Sequence, residues 1–307
     1  RTIFGGTSIM NSVSASEFRG YKARSPRQFI KPVEDFLAEA NELLQKGIHL
    51  SGDKTCWNGL DERFRFREGE VTIWSGYNGS GKSLVMGQCA LWLAESSSVL
   101  IASMEMRGAV TVSRMLRQGF GDRHPNDKFI NDFKQRTENK LWIYDQTDNV
   151  SIEDIMSMID WAAEKKDIKH IMIDSLMMCG VNQEIGDSQK NFMAQLCTKA
   201  KEFKIHIHLV AHSKKPPQGL KNYIPNRYDI SGSAKIADLA FNVIIINPNE
   251  QKKRDRQDNR PTAYDDPDGW FIVDKQRNGE WTGNFGFFFH SSSLRCTEEY
   301  CDKVEQW

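Results

Sequence analysis

Residues Gly76–Ser83 read GYNGSGKS, a full match to the spacing G-x-x-x-x-G-K-[S/T]. Phosphate oxygens need many N–H donors at close range, so a loop that holds them must be nearly free of side chains. Gly76, Gly79 and Gly81 supply such a loop, with Tyr77, Asn78 and Ser80 between them. A helix entered at Lys82, Ser83 and Leu84 would aim the positive end of its dipole at the anion. Lys82 would bridge β- and γ-phosphates, and Ser83 would ligate Mg2+. A Val/Ile run precedes the loop and an apolar run follows it. That context favours a site for ATP, or another nucleoside triphosphate, over a glycine-rich turn without a ligand.

Other residues fit the same chemistry. HIMID ends in Asp174, an acid at the tip of an apolar strand that could reach the magnesium shell; a helix N-cap is the alternative. SVLIASME ends in Glu105, which would lie beside the γ-phosphate and activate water if its strand neighbours the P-loop strand. Otherwise it is an exposed strand-end acid. IHIHLVAH places His206, His208 and His212 at even spacing on one strand face, which permits a metal site, although helices should cover a central strand. His212, at the strand's end, is placed to hydrogen-bond a γ-phosphate. Lys275 and Arg277, two apart in DKQRNG, point to one face. They read either as a solvated basic edge or as a Lys and an arginine finger offered to a neighbouring molecule's phosphate. Residues 214–231 interleave Lys214, Lys215, Lys221 and Arg227 with Tyr223 and Tyr228, a mixture that suits single-stranded nucleic acid or simply a solvated loop. Ser231, Gly232 and Ser233 follow at a helix start, where backbone N–H groups could meet a phosphate.

Positioning these residues requires alternating strands and helices. Strands are expected at 70–75, 98–103, 141–145, 170–174, 205–211, 242–246, 270–276 and 285–289. Helices are expected at 83–95, 107–118, 127–138, 151–166 and 188–203. Repeated βα units predict an α/β fold with a mainly parallel sheet flanked by helices. The last strands lie closer together and predict an antiparallel edge. Residues 1–26 read as an extended arm or linker, 27–50 as a linker helix, and 51–307 as the catalytic domain. In that helix Pro32 sits in the first turn, Phe36, Leu37, Ala40, Leu43 and Leu44 form an apolar stripe, and Gly47 ends it. Segments 180–191, 214–231 and 249–269 are too polar for core and read as loops, the third densely charged.

Composition bounds the partners. The 307 residues carry 41 basic and 41 acidic side chains, so nucleic acid must be met by local basic loops rather than by a polycationic surface. No run approaches the roughly 20 apolar residues of a membrane span. No internal repeat or signal-peptide pattern is present, and the first residue is Arg1, which suits a fragment of a longer protein. The six cysteines, Cys56, Cys89, Cys179, Cys197, Cys296 and Cys301, lack C-x-x-C spacing and read as reduced thiols in a cytoplasmic protein.

REGEVTIWSGYNGSGKS, SMEM, HIMIDSL, LVAHSKKP, DISGSAKIADLAFNVI and DKQRNGEWTG, in this order, resemble the DnaB-like hexameric helicases, above all Twinkle and phage helicase-primases. The resemblance spans about Lys54 to Phe289. It implies a RecA-like P-loop core, a homohexameric ring, and ATP at each interface. Glu105 would then be the catalytic base and His212 the γ-phosphate sensor, while Lys275 and Arg277 would reach into the next subunit's site. Segments 180–191 and 214–231 would line a channel for single-stranded DNA, and the helix at 33–46 would dock on the next subunit. A cytoplasmic setting follows, in the host if phage-encoded, with mitochondria as the alternative, and a primase domain or protein is an expected partner. The same fold also serves strand-exchange filament ATPases. A small-molecule kinase would need an Arg-rich lid, and a non-catalytic adaptor would not need Lys82, Glu105 and Asp174 intact. Segment 249–269 matches no family motif.

Overall fold

A computed structural model describes residues 11–13, 32–47, 51–147, 150–180, 186–216, 218, 223–232 and 234–307. Its strands are β1 (Asn11–Val13), β2 (Val71–Ser75), β3 (Val99–Ser103), β4 (Leu141–Tyr144), β5 (His170–Asp174), β6 (His206–Val210), β7 (Asn242–Pro248), β8 (Gly269–Gln276), β9 (Gly283–His290) and β10 (Arg295–Thr297). They form one sheet in the order β1-β4-β3-β5-β6-β2-β7-β8-β9-β10. Pairing is parallel from β1 to β7 and antiparallel from β7 onward. The helices are α1 (Leu37–Lys46), α2 (Asn58–Asp61), α3 (Lys82–Leu93), α4 (Gly108–Phe120), α5 (Asp127–Thr137), α6 (Ile152–Lys166), α7 (Gly186–Phe203), α8 (Ala234–Leu239) and α9 (Glu250–Gln257).

The parallel strands are apolar on both faces because helices cover both. Val71 and Ile73 of β2 enter one core with Ile207, Leu209 and α6–α7 residues such as Ile159 and Leu196. Trp74 turns to the other core, with Val85, Cys89, Leu91 and Met115 from α3 and α4. Side-chain caps set several helix starts. The Asn126 carboxamide accepts from Phe129 N at 2.8 Å, and the Ser151 hydroxyl accepts from Asp154 N at 3.0 Å.

Several expectations change. Segment 249–269 is not all loop: Asn249 caps α9, accepting from Lys252 N at 3.0 Å. Its sequence, EQKKRDRQ, has no apolar stripe, so periodicity gave no helix signal; propensity and the cap do the work. β10 and α2 are short and were not expected, and three residues of the N-terminal arm pair with β4. The helix expected over 33–46 starts as a 3-10 turn, Val33–Phe36, before α1. Most of its stripe is exposed among the described residues: Phe36, Leu37, Ala40 and Leu44 are exposed and Leu43 is half-buried. All six cysteines are free thiols.

The even spacing of β6 does put His206 and His208 on one face, where their rings lie 4.6 Å apart between centroids. His212 is not with them; it lies beyond the strand. The third ring is His170 of β5, whose Nδ1 lies 3.2 Å from His208 Nε2 and whose Nε2 meets Asp53 Oδ2 at 2.8 Å. Trp74 Nε1 donates to His208 Nδ1 at 3.2 Å, His206 Nε2 meets Thr72 Oγ1 at 2.9 Å, and His206 Nδ1 meets Arg67 O at 2.7 Å. The cluster is thus a hydrogen-bonded polar layer inside the core, closed over by Phe66.

Burial, and then the neighbouring rings, hold the His206 and His208 imidazoles neutral: His206 is pushed down to about 3 and His208 well below its ordinary 6.5. Unfolded chain binds more protons than folded chain below pH 6.5, so stability is complete above that value and falls as pH drops from it toward the folded values. Each such histidine steepens the loss by up to about 1.4 kcal/mol per pH unit. His208→Gln should cost stability at pH 7 yet lose less of what remains between pH 6.5 and 5. Urea unfolding at several pH values reads this; parallel pH profiles for wild type and variant would show that His208 is not held neutral.

Candidate nucleotide site and nucleic-acid segment

The edge of the sheet where β2, β3, β5 and β6 end collects most of the chemical residues. Gly76 leaves β2 at φ 145°, and a Cβ there would stand 2.5 Å from Ile246 O. Gly81 caps α3 in the left-handed region at φ 90°. Backbone approach fixes the first glycine, and conformation the second. Tyr77, Asn78, Gly79 and Ser80 form the turn between them, with Ser80 N donating to Tyr77 O at 3.1 Å. Lys82 is buried and folds back, its Nζ donating to Gly76 O at 3.0 Å and Tyr77 O at 2.8 Å. Burial pushes its pKa down to about 8, partly offset by Asp174 and Glu105. Removing that desolvated cation would leave the two acids without a counter-charge.

Asp174 ends β5 and is buried; burial raises its pKa, and a hydrogen bond from Ser83 opposes the rise. Among the described residues its Oδ1 has no partner. Ser80 Oγ and His212 Nδ1 are likewise buried without one. A buried carboxylate oxygen with a spare lone pair, next to a hydroxyl, is the hard-oxygen donor set that Mg2+ accepts while keeping most of its waters. Ser83 and Asp174 therefore fit that ion.

Glu105 was expected here on the condition that its strand neighbours β2. That condition fails: β5 and β6 lie between β3 and β2. The carboxylate is nevertheless brought in, because the residues just past β5 and β6 meet it. Ser175 Oγ donates to Glu105 Oε1, and His212 Nε2 stands 3.3 Å from the same oxygen. The His212 contact, above all, holds the carboxyl below its ordinary range, with Ser175 adding and partial burial opposing. Both partners use Oε1, so among the described residues Oε2 is left for a further donor. Sequence reading passed over Ser175, although it stands inside HIMIDSL. It also passed over Ser213, which ties the β6 end to the P-loop: its N donates to Gly76 O at 3.0 Å and its Oγ lies 3.0 Å from Ser75 Oγ.

On the other side of the loop a cavity of about 490 Å³ opens from Gly79, Gly81 and Leu84. Its walls include Val85, Phe287 and Phe289, with Lys253, Arg256 and Gln257 of α9. An apolar slot with a few polar groups, of this size, suits a nucleoside beside the phosphates. The charged segment that matched no motif thus borders the candidate nucleotide site.

Lys275 and Arg277 are not brought to this edge. β8 runs antiparallel to β7, with Gly269 opposite Pro248 and Gln276 opposite Asn242. Arg277 N donates to Phe241 O, whereas Ile246 adjoins Gly76. At about 3.3 Å per residue the two ends are on the order of 17 Å apart. Both cations rest on the C-terminus of α8. Lys275 Nζ donates to Ala237 O at 2.9 Å and Asp238 O at 2.7 Å, and Arg277 Nη2 to Asp238 O at 3.1 Å. Cations are favoured there by the helix dipole.

Of the expected nucleic-acid residues, Lys214 and Lys215 are exposed just past His212. Lys221 and Ser233 lie outside the described residues, as does most of segment 180–191 that is not in α7. Arg227 is half-buried against Asp274. Ser231 N is not free for a phosphate, because it donates to His212 O at 2.7 Å. Gly232 is at φ 98° against the Gln189 side chain. A hollow of about 370 Å³ lies between Tyr77 and Asn78 of the P-loop and Pro216, Tyr223 and Ile224 of the segment.

Comparison with known proteins bears on the family and the fold. A family model described as AAA domain matches residues 52–218, more than half of the chain. A Twinkle homolog protein, chloroplastic/mitochondrial, from Arabidopsis thaliana is 26% identical over 228 residues, covering 66% of this chain. The chain spans 31% of that relative's length. A solved DnaB-like replicative helicase, studied with its interactions with primase, superposes with a TM-score of 0.70 at 14% identity, over 92% of this chain and 70% of its own. A KaiC-like protein from the hyperthermophilic archaeon Pyrococcus horikoshii OT3 gives 0.57 at 17% identity, over 80% of this chain and 99% of its own. The chain belongs to the AAA domain family and has the RecA-like P-loop fold of DnaB-like helicase ATPase domains.

Proposed function

We propose that the chain is the motor part of a replicative DNA helicase, hydrolysing ATP at interfaces between its copies to move along single-stranded DNA and open duplex. One observation carries the reading: the residues expected to carry hydrolysis fall at two opposite ends of the sheet. The P-loop, Asp174, Glu105 and His212 stand at one end, and Lys275 and Arg277 at the other. A finger on the far end can serve only another chain's nucleotide. The Twinkle-like and DnaB-like relatives support the choice of a helicase, with a closed six-membered ring and a primase domain or protein as the partners it implies. Among the described residues no helix is long and apolar enough to cross a membrane.

Each residue has work that follows from its chemistry. Lys82 gives up the carbonyls of Gly76 and Tyr77 for the β- and γ-phosphates, a stronger charge-assisted pairing. Ser83 and Asp174 would hold a magnesium ion, which would supply positive charge against the charge that develops on the phosphates. Glu105, kept ionised by Ser175 and His212, presents Oε2 to the attacking water and takes its proton. His212, in reach of Glu105 and two residues before the exposed Lys214, can report phosphate occupancy to the DNA segment. Lys214 and Lys215 contact the strand's phosphates, and the aromatic slot at Phe287 and Phe289 holds the nucleoside.

Lys82→Ala should abolish turnover, because phosphate charge loses its buried counter-ion; wild-type turnover would remove the P-loop assignment. Glu105→Gln should keep ATP affinity and lose about 10²–10⁴ in kcat, since an amide accepts no proton. Unchanged kcat would place the base elsewhere. Arg277→Ala should likewise keep affinity while losing about 10³ or more in rate. Mixed with Lys82→Ala protein, after subunit exchange is shown with labelled chains, it should regain activity, because some interfaces then join an intact finger to an intact loop. In a tethered pair supplying the finger from one half and the loop from the other, silence would overturn the shared site. Electron micrographs with ATP analogue and single-stranded DNA should show closed rings; filaments would instead favour a strand-exchange ATPase.

A further inference from the structure

Segment 214–231 leaves the end of β6 and returns to α8, and its two limbs are clasped at the base. Ser213 bridges Ile230, Lys214 N donates to Asp229 O at 2.6 Å, and Ser231 N to His212 O at 2.7 Å. The returning limb is stiffened by a reciprocal cap. Tyr228 N donates to the Asn226 carboxamide at 2.9 Å, and Asn226 N to the Asp229 carboxylate at 2.8 Å. Tyr223 OH donates to the same carboxylate at 2.8 Å. The base of the segment is therefore one rigid piece, anchored on its outgoing side to the P-loop through Ser213.

On its returning side it is anchored to β8. Arg227 N donates to Asp274 Oδ2 at 2.9 Å, its Nη1 donates to Asp274 O at 3.1 Å, and its Nε lies 3.8 Å from Oδ2. The guanidinium also lies beside the Tyr228 ring, 5.1 Å from the centroid. Arg227 thus meets Asp274 three times, through backbone and side chain, and its guanidinium, though partly exposed, is engaged by Asp274 and Tyr228. Asp274 immediately precedes Lys275, and Arg277 is two residues further on. A half-exposed ion pair like this adds little to stability. Its geometric effect is larger: it ties the segment that meets DNA to the strand that carries the two cations.

We propose that the Arg227–Asp274 pair is a coupling link, through which single-stranded DNA on segment 214–231 sets the position of Lys275 and Arg277 toward the next chain's nucleotide. Arg227 is then a positioning residue and not a phosphate contact. The proposal rests on the helicase reading above, and the two fail differently.

The test is ATP turnover with and without oligo(dT), together with oligo(dT) affinity across a salt series. Asp274→Ala should leave DNA-free turnover and the KM for ATP unchanged and cut the stimulation by oligo(dT) about five- to tenfold. Its salt slope for DNA should not change. Arg227→Lys, which keeps the charge but loses the forked donors, should cut the stimulation similarly, and the double variant should be no worse than either single one. A phosphate contact behaves otherwise. Arg227→Ala would flatten the slope of log K against log salt by about 0.7, Arg227→Lys would bind nearly as wild type, and Asp274→Ala would keep full stimulation. That pattern overturns the link and leaves the helicase reading standing. If wild-type turnover does not respond to oligo(dT) at all, the helicase reading falls and takes the link with it.

Discussion

Parallel hydrogen bonding of β2 to β6 on one side and to β7 on the other is the constraint from which the site follows. Parallel pairing aligns the C-terminal ends of β3, β5, β6 and β2, so the residues after each strand meet at one edge. The P-loop, Asp174, Ser175, Glu105 and His212 all occupy such positions. No long-range search by the chain is needed beyond forming the sheet. The cost is electrostatic: a lysine and an aspartate are buried together, and each is shifted by its own desolvation more than the partner restores. Phosphate oxygens against Lys82 and a cation against Asp174 would relieve both, which is a reason for a loop built to accept a phosphate beside a metal ion.

Much of this was legible from residue types. The P-loop states its own geometry, because glycine at fixed spacing has few other uses before a helix. The apolar runs marked the parallel strands to within a residue or two, since strands buried on both faces have no alternation to misread. Three things were less legible. Strand order is not written in local pattern, so Glu105 was expected from a neighbour relation that does not hold, and it reaches the site through Ser175 and His212 instead. A helix without an apolar face, α9, gave no periodicity, and only residue propensity and its Asn249 cap betray it. The partners of cations were also invisible: nothing near Arg227 in sequence points to Asp274, 47 residues on.

The histidine layer shows the same limit from another side. Even spacing located His206 and His208 correctly on one face, but their meaning depended on His170, Thr72 and Trp74 from neighbouring strands. Polar rings in a core are tolerable when each nitrogen has a partner, and here the partners come from β2, from β5 and from the Arg67 carbonyl. That couples strand register to hydrogen-bond satisfaction, because a one-residue slip of β6 would carry both rings to the opposite face.

The reversal of direction at β8 has a consequence for assembly. On the reading proposed here, each chain has a donating end, with Lys275 and Arg277, and an accepting end, with Lys82. Contact between unlike ends is heterologous, so it propagates until rotation brings the last chain back to the first, or continues as a helix. In an open row one terminal chain accepts from no neighbour and one donates to none; closure removes both defects together. Geometry alone would then make every nucleotide site equivalent only in a closed ring, and would give that ring a polarity before any DNA is threaded through it.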